Sequence, residues 1–193
     1  METARAAPAP QRTTRSPAWL LAPLLAFAAF SLAAGLLARA ETISPGAYPG
    51  GYFRLFFSDT LHLKAWFATT AAALACLQLA SAAWIYRVLP WAKPAWVNPF
   101  HRWTGRLALV ATLPVAYHCI FKLGFQTATT RVLVHSFVGS AFYGAYAAKV
   151  TIVRLHRFPM PVLPIAGGFA FATLIAVWYT SALWFFRLVG VGL

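Results

Sequence analysis

The chain has 193 residues, of which 61% are apolar and only 10% are charged, and its formal net charge is +13. This composition excludes an ordinary soluble domain, and the uncharged runs are long enough to cross a bilayer. Peptide groups inside hydrocarbon must be hydrogen-bonded within the protein, and the runs do not alternate, so we predict an all-α integral membrane protein.

The amino-terminal residues 1–15 are rich in Ala, Pro, Thr and Arg, which predicts a disordered basic tail. Residues 16–193 are predicted to form a single transmembrane helical domain. Five uncharged stretches predict five transmembrane helices: Ser16–Ala38, Ala65–Tyr86, Leu107–Phe121, Val132–Ala148 and Phe158–Phe186. The third and fourth are shorter than the roughly 20 residues of a full span, but flanking Arg and Lys side chains extend to the interface.

The first stretch also resembles a secretory signal, because a basic start precedes the apolar run and the small-residue sequence Ala38-Arg39-Ala40 follows it. Its uncharged run is longer than the usual signal core of about 7 to 15 residues, which favours a retained helix. Cleavage would leave four helices.

The basic residues predict the orientation. With a cytoplasmic amino terminus, most of the 16 Lys and Arg residues lie on the inner side, which predicts an N-in, C-out protein of the cytoplasmic (plasma) membrane. These charges bracket the helices and form no basic groove with interleaved aromatic residues. We therefore expect the lipid bilayer, and no nucleic acid, as a partner.

Several catalytic classes find no support in the sequence. Cys76 and Cys119 form no Cys-x-x-Cys pair and are interpreted as small packing residues. There is no Gly-rich phosphate loop, no Ser-His-Asp arrangement and no pair of carboxylates in the predicted helices. Hydrolysis and phosphoryl transfer are therefore not indicated.

Two segments begin with a histidine that is followed four residues later by glycine. These are His101 with Gly105 and His135 with Gly139. On a helix the two positions of each pair share a face, so an imidazole there can bind a flat ring that rests against backbone at the glycine. This arrangement suits a haem.

The five histidines fall into two layers. With the orientation above, His62, His118 and His135 lie near the outer helix ends, and His101 and His156 lie near the inner ends. Neutral imidazole suits iron, and an iron with two histidine ligands favours electron transfer over oxygen chemistry. Zinc is the weaker hypothesis, because no Cys or carboxylate stands near these histidines at a spacing typical of zinc. Any one histidine alone is more simply an interfacial residue.

A family resemblance supports the haem hypothesis. HRWTGRLALVATLPVAYHC, residues 101–119, resembles the third-helix signature of ferric-reductase-like and related cytochrome b membrane proteins, and HSFVGSAFYGAYAAKV, residues 135–150, resembles a later ligand-bearing helix. The resemblance covers residues 99–157. It implies a small helical bundle that holds one or two b haems, with ligands at His101, His118 and His135, and it adds His156 by position.

The pairing of ligands remains open. In the outer layer His135 pairs with His118 or with His62. The resemblance favours His118, whereas His62 is favoured because a porphyrin pushes its two helices beyond ordinary contact distance, which diagonal helices allow more easily than neighbours. In the inner layer His101 pairs with His156. The guanidinium groups of Arg102, Arg106 and Arg131 are candidates for binding haem propionates, although interface anchoring explains them equally well.

The sequence therefore predicts a haem b membrane subunit that transfers electrons between a quinol or a cytoplasmic-side donor and a partner on the outer face. It has no flavin or nicotinamide domain, so it is expected to be an electron-transfer subunit and not a complete reductase. The alternative is a cofactor-free membrane anchor or assembly subunit of a larger complex. A proton or solute carrier is less well supported, since no acidic residue lies inside a predicted span.

Overall fold

The computed structural model of the protein describes residues 17–40, 53–159 and 161–191. Within these residues the regular secondary structure is helical, which confirms the all-α fold. The long helices are α1 (Ala22–Ala40, preceded by a 3-10 turn at Pro17–Leu21), α2 (Thr60–Ile85), α3 (Val97–Leu123), α4 (Thr130–Leu155) and α5 (Val162–Val189). The predicted tail at residues 1–15 and most of the first loop lie outside the described residues.

Each helix corresponds to one of the five predicted stretches. Most of the helices extend past the charged residues at which the predicted stretches ended. Helix α2 begins at Thr60 because Asp59 caps it, with Oδ1 accepting the backbone N–H of Leu61 at 2.7 Å and of His62 at 2.9 Å. Helix α4 begins at Thr130, since the Thr129 hydroxyl accepts the N–H of Val132 at 3.3 Å. Capping groups, not charges, therefore set these ends.

Two helices change geometry near their carboxyl ends. In α3 the segment Tyr117–Leu123 is π-helical, and in α5 the segment Tyr179–Leu183 is π-helical. Pro114 lies three residues before the first of these segments, and a proline inside a helix removes one backbone donor. Helices α3 and α5 run in the same direction, so both π segments lie at one end of the bundle. Such segments often occur at functional sites.

The helices form a ring. Helix α4 packs between α1 and α5, and α2 packs between α3 and α5. The ring closes where the π segment of α3 packs on α1, and there the Phe125 N–H donates to the Ala38 carbonyl at 2.8 Å. We call this the His135 end of the bundle, because α4 begins here, and we call the opposite end the His101 end.

Small residues bring α1 and α4 together. A β carbon on Gly144 of α4 would overlap the Ser31 hydroxyl of α1 and would lie 2.5 Å from the Phe27 carbonyl. A β carbon on Gly35 would lie 3.6 Å from the hydroxyl oxygen of Ser140. Both helices therefore present a pair of small residues four positions apart, a common way for membrane helices to pack closely.

Among the described residues, four helical segments are long and apolar enough to cross a membrane, which makes the chain a membrane protein. They are Trp19–Ala38, Thr60–Ile85, Val97–Leu123 and Val162–Val189. Their outer surfaces carry large exposed apolar side chains, such as Leu24 and Leu25, each 65% exposed. Helix α4 is as long as α2 but less apolar, because it carries Arg131, Lys149 and Arg154.

Candidate functional site

The bundle holds two adjoining cavities in its half near the His135 end. The first, of about 90 Å³, has a mostly apolar wall to which all five helices contribute. The second, of about 250 Å³, shares with it part of the wall formed by Cys119, His135 and Ser136, and it also contacts Lys64 and Arg131. Both π segments border these cavities. Of the five histidines, His135 is the one whose side chain lines both.

The imidazole of His135 is held by a hydroxyl on the π segment of α5. Its Nδ1 atom lies 3.1 Å from Oγ1 of Thr180. That hydroxyl already donates its proton within α5, to the carbonyls of Ala176 at 2.8 Å and Val177 at 3.1 Å. A hydroxyl that bonds in this way can accept the Nδ1–H of His135, and the neutral ring would then carry its lone pair on Nε2. Iron-binding histidines are commonly oriented by a hydrogen bond of this kind at the other ring nitrogen.

Arg131 stabilises the same contact between α4 and α5. Its Nη1 atom donates to the Thr180 carbonyl at 2.6 Å, and its guanidinium stacks 3.7 Å from the centre of the Trp184 ring. The side chain thus ties the first turn of α4 to the π segment of α5, one turn before His135. Arg131 also lines the second cavity, so it lies near any group bound there.

Gly139, one turn after His135, faces open space. It lines the first cavity, and a β carbon built on it would have nothing within 4 Å. Gly105, in the same position relative to His101, is different: a β carbon there would lie 2.9 Å from Oε1 of Gln78 on α2. The glycine of one motif therefore opens a cavity, whereas the glycine of the other allows a neighbouring helix to approach.

His101 is oriented in the same manner as His135. Its Nδ1 atom lies 2.8 Å from the Ser81 hydroxyl of α2, which donates to the Leu77 carbonyl at 2.7 Å. Donation from Nδ1 would again leave the lone pair on Nε2. Gln78 donates to the His101 carbonyl and, at 2.6 Å, to Oγ1 of Thr104. This polar network joins α2 to α3 at the His101 end.

The other three histidines occupy different surroundings. His118 is 1% exposed and packs against the rings of Phe53 at 4.4 Å and Tyr117 at 5.3 Å. The Nδ1 atom of His62 lies 2.7 Å from Oδ2 of Asp59. His156 is exposed at the end of α4.

The members of each of the three predicted pairs therefore share an end of the bundle, but they differ in setting. His118 and His135 both lie at the His135 end, where Cys119, the residue after His118, reaches the cavity wall. His101 and His156 both belong to the opposite end. There His156 has φ 50° and its Nδ1 atom lies 2.8 Å from the Arg154 carbonyl, as part of a left-handed helix cap.

The remaining predicted basic residues lie on the surface near the His101 end. Arg102 and Arg106 are exposed, and the Arg106 guanidinium stacks 5.1 Å from the ring centre of Trp103. In the described part of the chain, no three His, Cys, Asp or Glu side chains gather in a group that could hold a metal ion. The atoms at the cavity that could bind a metal are therefore those of the His135 imidazole and of the side chains next to it.

Sequence reasoning missed two side chains that line the cavities, Cys119 and Lys64, and it missed Thr180, whose hydroxyl contacts His135. Cys119 lines both cavities, so it lies close to His135. Cys76, by contrast, is exposed on α2. No local pattern marks Thr180 as the partner of His135, since 45 residues separate them along the chain.

Comparison with known proteins gives one match. A protein family described as a family of unknown function (DUF6529) matches residues 18–193. No curated protein and no solved structure matches the chain.

Proposed function

The chain belongs to DUF6529, a family of unknown function, and we propose that it is a haem b membrane subunit that transfers electrons across the bilayer. The observation that carries this proposal is the setting of His135: its imidazole lines both cavities, and its Nδ1 atom lies 3.1 Å from the Thr180 hydroxyl, a contact that would leave Nε2 to bind a metal. When bound, haem iron supplies one-electron chemistry by changing between its ferric and ferrous states.

The residues at the cavity fit such a group. The wall combines small side chains, including Gly139, with few polar atoms, as a porphyrin face requires. We propose that His135 and His118 would hold the haem iron, with His62 as the alternative to His118 at the same end. Lys64 and Arg131 line the second cavity, where their charges suit the two propionates.

We further propose that α4 is a fifth transmembrane helix. It packs between α1 and α5, both long and apolar enough to span, and its contact with α1 includes Gly144 near its middle. Its length of 26 residues corresponds to about 39 Å, which exceeds the hydrocarbon thickness of about 30 Å. Its charged residues lie toward its two ends.

We propose the N-in orientation, with the His101 end in the cytoplasmic leaflet. The basic residues at that end include Arg87, Lys93, Arg102, Arg106, Lys149, Arg154 and Arg157. Those at the other end include Arg54, Lys64, Lys122, Arg131 and Arg187. The tail adds three arginines to the first group, and an excess of Lys and Arg on one side favours its cytoplasmic location. Electrons would then pass from a quinol or cytoplasmic-side donor to a partner on the outer face.

Absorption spectroscopy tests the proposal. The full chain, produced with a supply of haem and purified in detergent, should show a b-type spectrum that changes on reduction with dithionite. His135→Ala should lose this spectrum, whereas His156→Asn should keep it, because His156 is exposed and Asn tolerates its left-handed backbone. A colourless, well-folded wild-type protein would overturn the proposal and favour a cofactor-free membrane anchor.

A second measurement separates the ligand pairs. His118→Ala and His62→Ala are compared in the same spectra, and haem is counted per chain. Loss of the six-coordinate spectrum in only one of these variants identifies the second ligand. A ratio of two haems per chain would require further ligands at the His101 end, beginning with His101.

A further inference from the structure

An indole ring of α5 forms part of the wall of the first cavity. Trp178 lies immediately before the π segment Tyr179–Leu183, and it lines this cavity together with His135 and Gly139. Gly139 leaves open space in the same cavity, since a β carbon there would have nothing within 4 Å. The space available to a ring bound at His135 is therefore bordered by the Trp178 side chain.

A neighbouring helix fixes the orientation of this indole. The Nε1–H of Trp178 donates to Oγ1 of Thr69 on α2 at 3.0 Å. The direction of this bond is certain, because an indole nitrogen donates and does not accept. The same hydroxyl also bonds to the Ala65 carbonyl of its own helix at 2.8 Å. Rotation of the indole would leave a half-buried N–H without its acceptor, which is costly, so the hydrogen bond holds the ring plane in place.

Small side chains make room for the indole between α2 and α5. Trp178 packs against a core cluster that contains Ala65 and Ala68 of α2 and Ala182 of α5. These alanines are 4%, 6% and 1% exposed, so the cluster is closely packed and resists deformation. The indole is thus supported by the core on one side, and it reaches the cavity on another.

We propose that Trp178 packs against the tetrapyrrole ring bound at His135 and that Thr69 positions Trp178 for this contact. This inference rests on the proposed function and adds two residues to its site. Aromatic rings attract each other in stacked or edge-to-face arrangements, so an indole suits a flat conjugated ligand. Because its orientation is already fixed, the side chain loses little freedom on binding. The stretch of α5 that begins at Trp178 would then serve the site twice, since Thr180 contacts His135.

Nuclear magnetic resonance of the indole N–H groups tests the contact. The full chain is produced with isotope-labelled tryptophan, and the Trp178 signal is identified as the one missing in Trp178→Phe. Thr69→Val should shift this signal even without haem, because the N–H loses its acceptor. Addition of haem, followed by reduction with dithionite, should shift the Trp178 signal severalfold more than that of Trp19, which begins α1 at the opposite end of the bundle.

Haem titration measures what the contact contributes. Trp178→Leu should weaken haem binding about two- to tenfold, the usual range for a lost aromatic pair, and Trp178→Phe should retain most of the affinity. Thr69→Val should weaken binding by a smaller factor, whereas Thr69→Ser keeps the acceptor and should bind normally. Trp19→Leu is the matched control, because it removes a half-buried indole that packs on Phe158 at 5.2 Å and lines neither cavity.

Two results would overturn the inference alone. One is equal weakening by Trp178→Leu and Trp19→Leu, which would show a general loss of stability. The other is a wild-type protein that binds haem while its Trp178 signal stays unchanged. A wild-type protein that binds no haem would instead overturn the proposed function, on which the inference rests. Circular dichroism establishes that each variant is folded.

Discussion

The Thr180 hydroxyl of α5 accepts a hydrogen bond from the imidazole of His135 on α4, with 3.1 Å between Oγ1 and Nδ1. The same hydroxyl also bonds to carbonyls of its own helix, so the contact holds the imidazole in place against α5. It also joins the two sides of the cavity, since Thr180 belongs to a π segment of α5 and His135 to the beginning of α4.

Replacing Thr180 should weaken the cofactor site without changing its ligands. In Thr180→Val the Nδ1–H of His135 loses its acceptor, so the imidazole is less well oriented toward a metal. We expect haem affinity to fall about 10- to 100-fold, the usual cost of losing such a partner. Haem titration of the purified variants measures this change.

Two controls accompany that substitution. Thr180→Ser keeps the hydroxyl and should retain near wild-type affinity. Thr151→Val removes another hydroxyl that bonds within its own helix, to the Ala147 carbonyl at 2.9 Å, and should have little effect. Equal losses in Thr180→Val and Thr151→Val would contradict the role assigned to Thr180.

Filling the open space at Gly139 should exclude a bound ring. Gly139→Leu places a side chain in the first cavity, where a β carbon alone meets nothing within 4 Å. The variant should fold with a melting temperature close to that of the wild type, yet its haem content should fall severalfold. The ratio of haem absorbance to protein measures the loss, and full retention of haem would place the cofactor elsewhere.

A methyl group at Gly144 should disrupt the contact between α1 and α4. Gly144→Ala brings a β carbon into overlap with Ser31 and the Phe27 carbonyl, so we expect a loss of about 1 to 3 kcal/mol in the free energy of unfolding. Gly168→Ala is the matched control, because nothing lies within 4 Å of a β carbon there. That control should be neutral or slightly stabilising, since alanine favours helices. Thermal or denaturant unfolding in detergent compares the two.

Asp59 should make the stability of the folded protein depend on pH. Although burial alone raises its pKa, the hydrogen bonds from the backbone and side chain of His62 and from the backbone of Leu61 lower it below the ordinary value of 3.8. A lowered carboxyl pKa stabilises the folded state above pH 3.8, and this contribution is lost as the pH falls through the folded-state value. Wild-type stability should therefore decline on acidification.

Asp59→Asn tests this dependence. Asn also caps helices well, so the variant should keep much of the cap but lose the charge. The difference in melting temperature between wild type and Asp59→Asn should be present at pH 6 and should shrink below pH 3.8. A difference that is constant between pH 6 and pH 3 would show that the carboxylate charge makes no contribution.

The sequence predicts the coarse fold well. Long uncharged runs leave the backbone no alternative to helix in hydrocarbon, and the five predicted stretches match the five helices. Their ends were misplaced because charged residues marked the predicted limits, whereas Asp59 and Thr129 set the starts of α2 and α4 by capping. The five-span topology and its orientation stay predictions, since α4 is not among the segments apolar enough by composition alone.

The candidate site was predicted only in part. The two His-x-x-x-Gly motifs mark the beginnings of two helices. They look equivalent in sequence, but they differ in the structure. Gly139 faces a cavity, whereas Gly105 faces Gln78 of α2. The π segment of α3 likewise brings Cys119 to the cavity wall, next to the buried His118.

The sequence by itself therefore determined the membrane environment and the helical fold, and it predicted candidate metal-binding residues, because each follows from local composition and spacing. The tertiary structure alone decided which imidazole faces a cavity and which hydroxyl contacts it. These features depend on contacts between residues far apart in the chain, such as His135 with Thr180, and helix packing sets them.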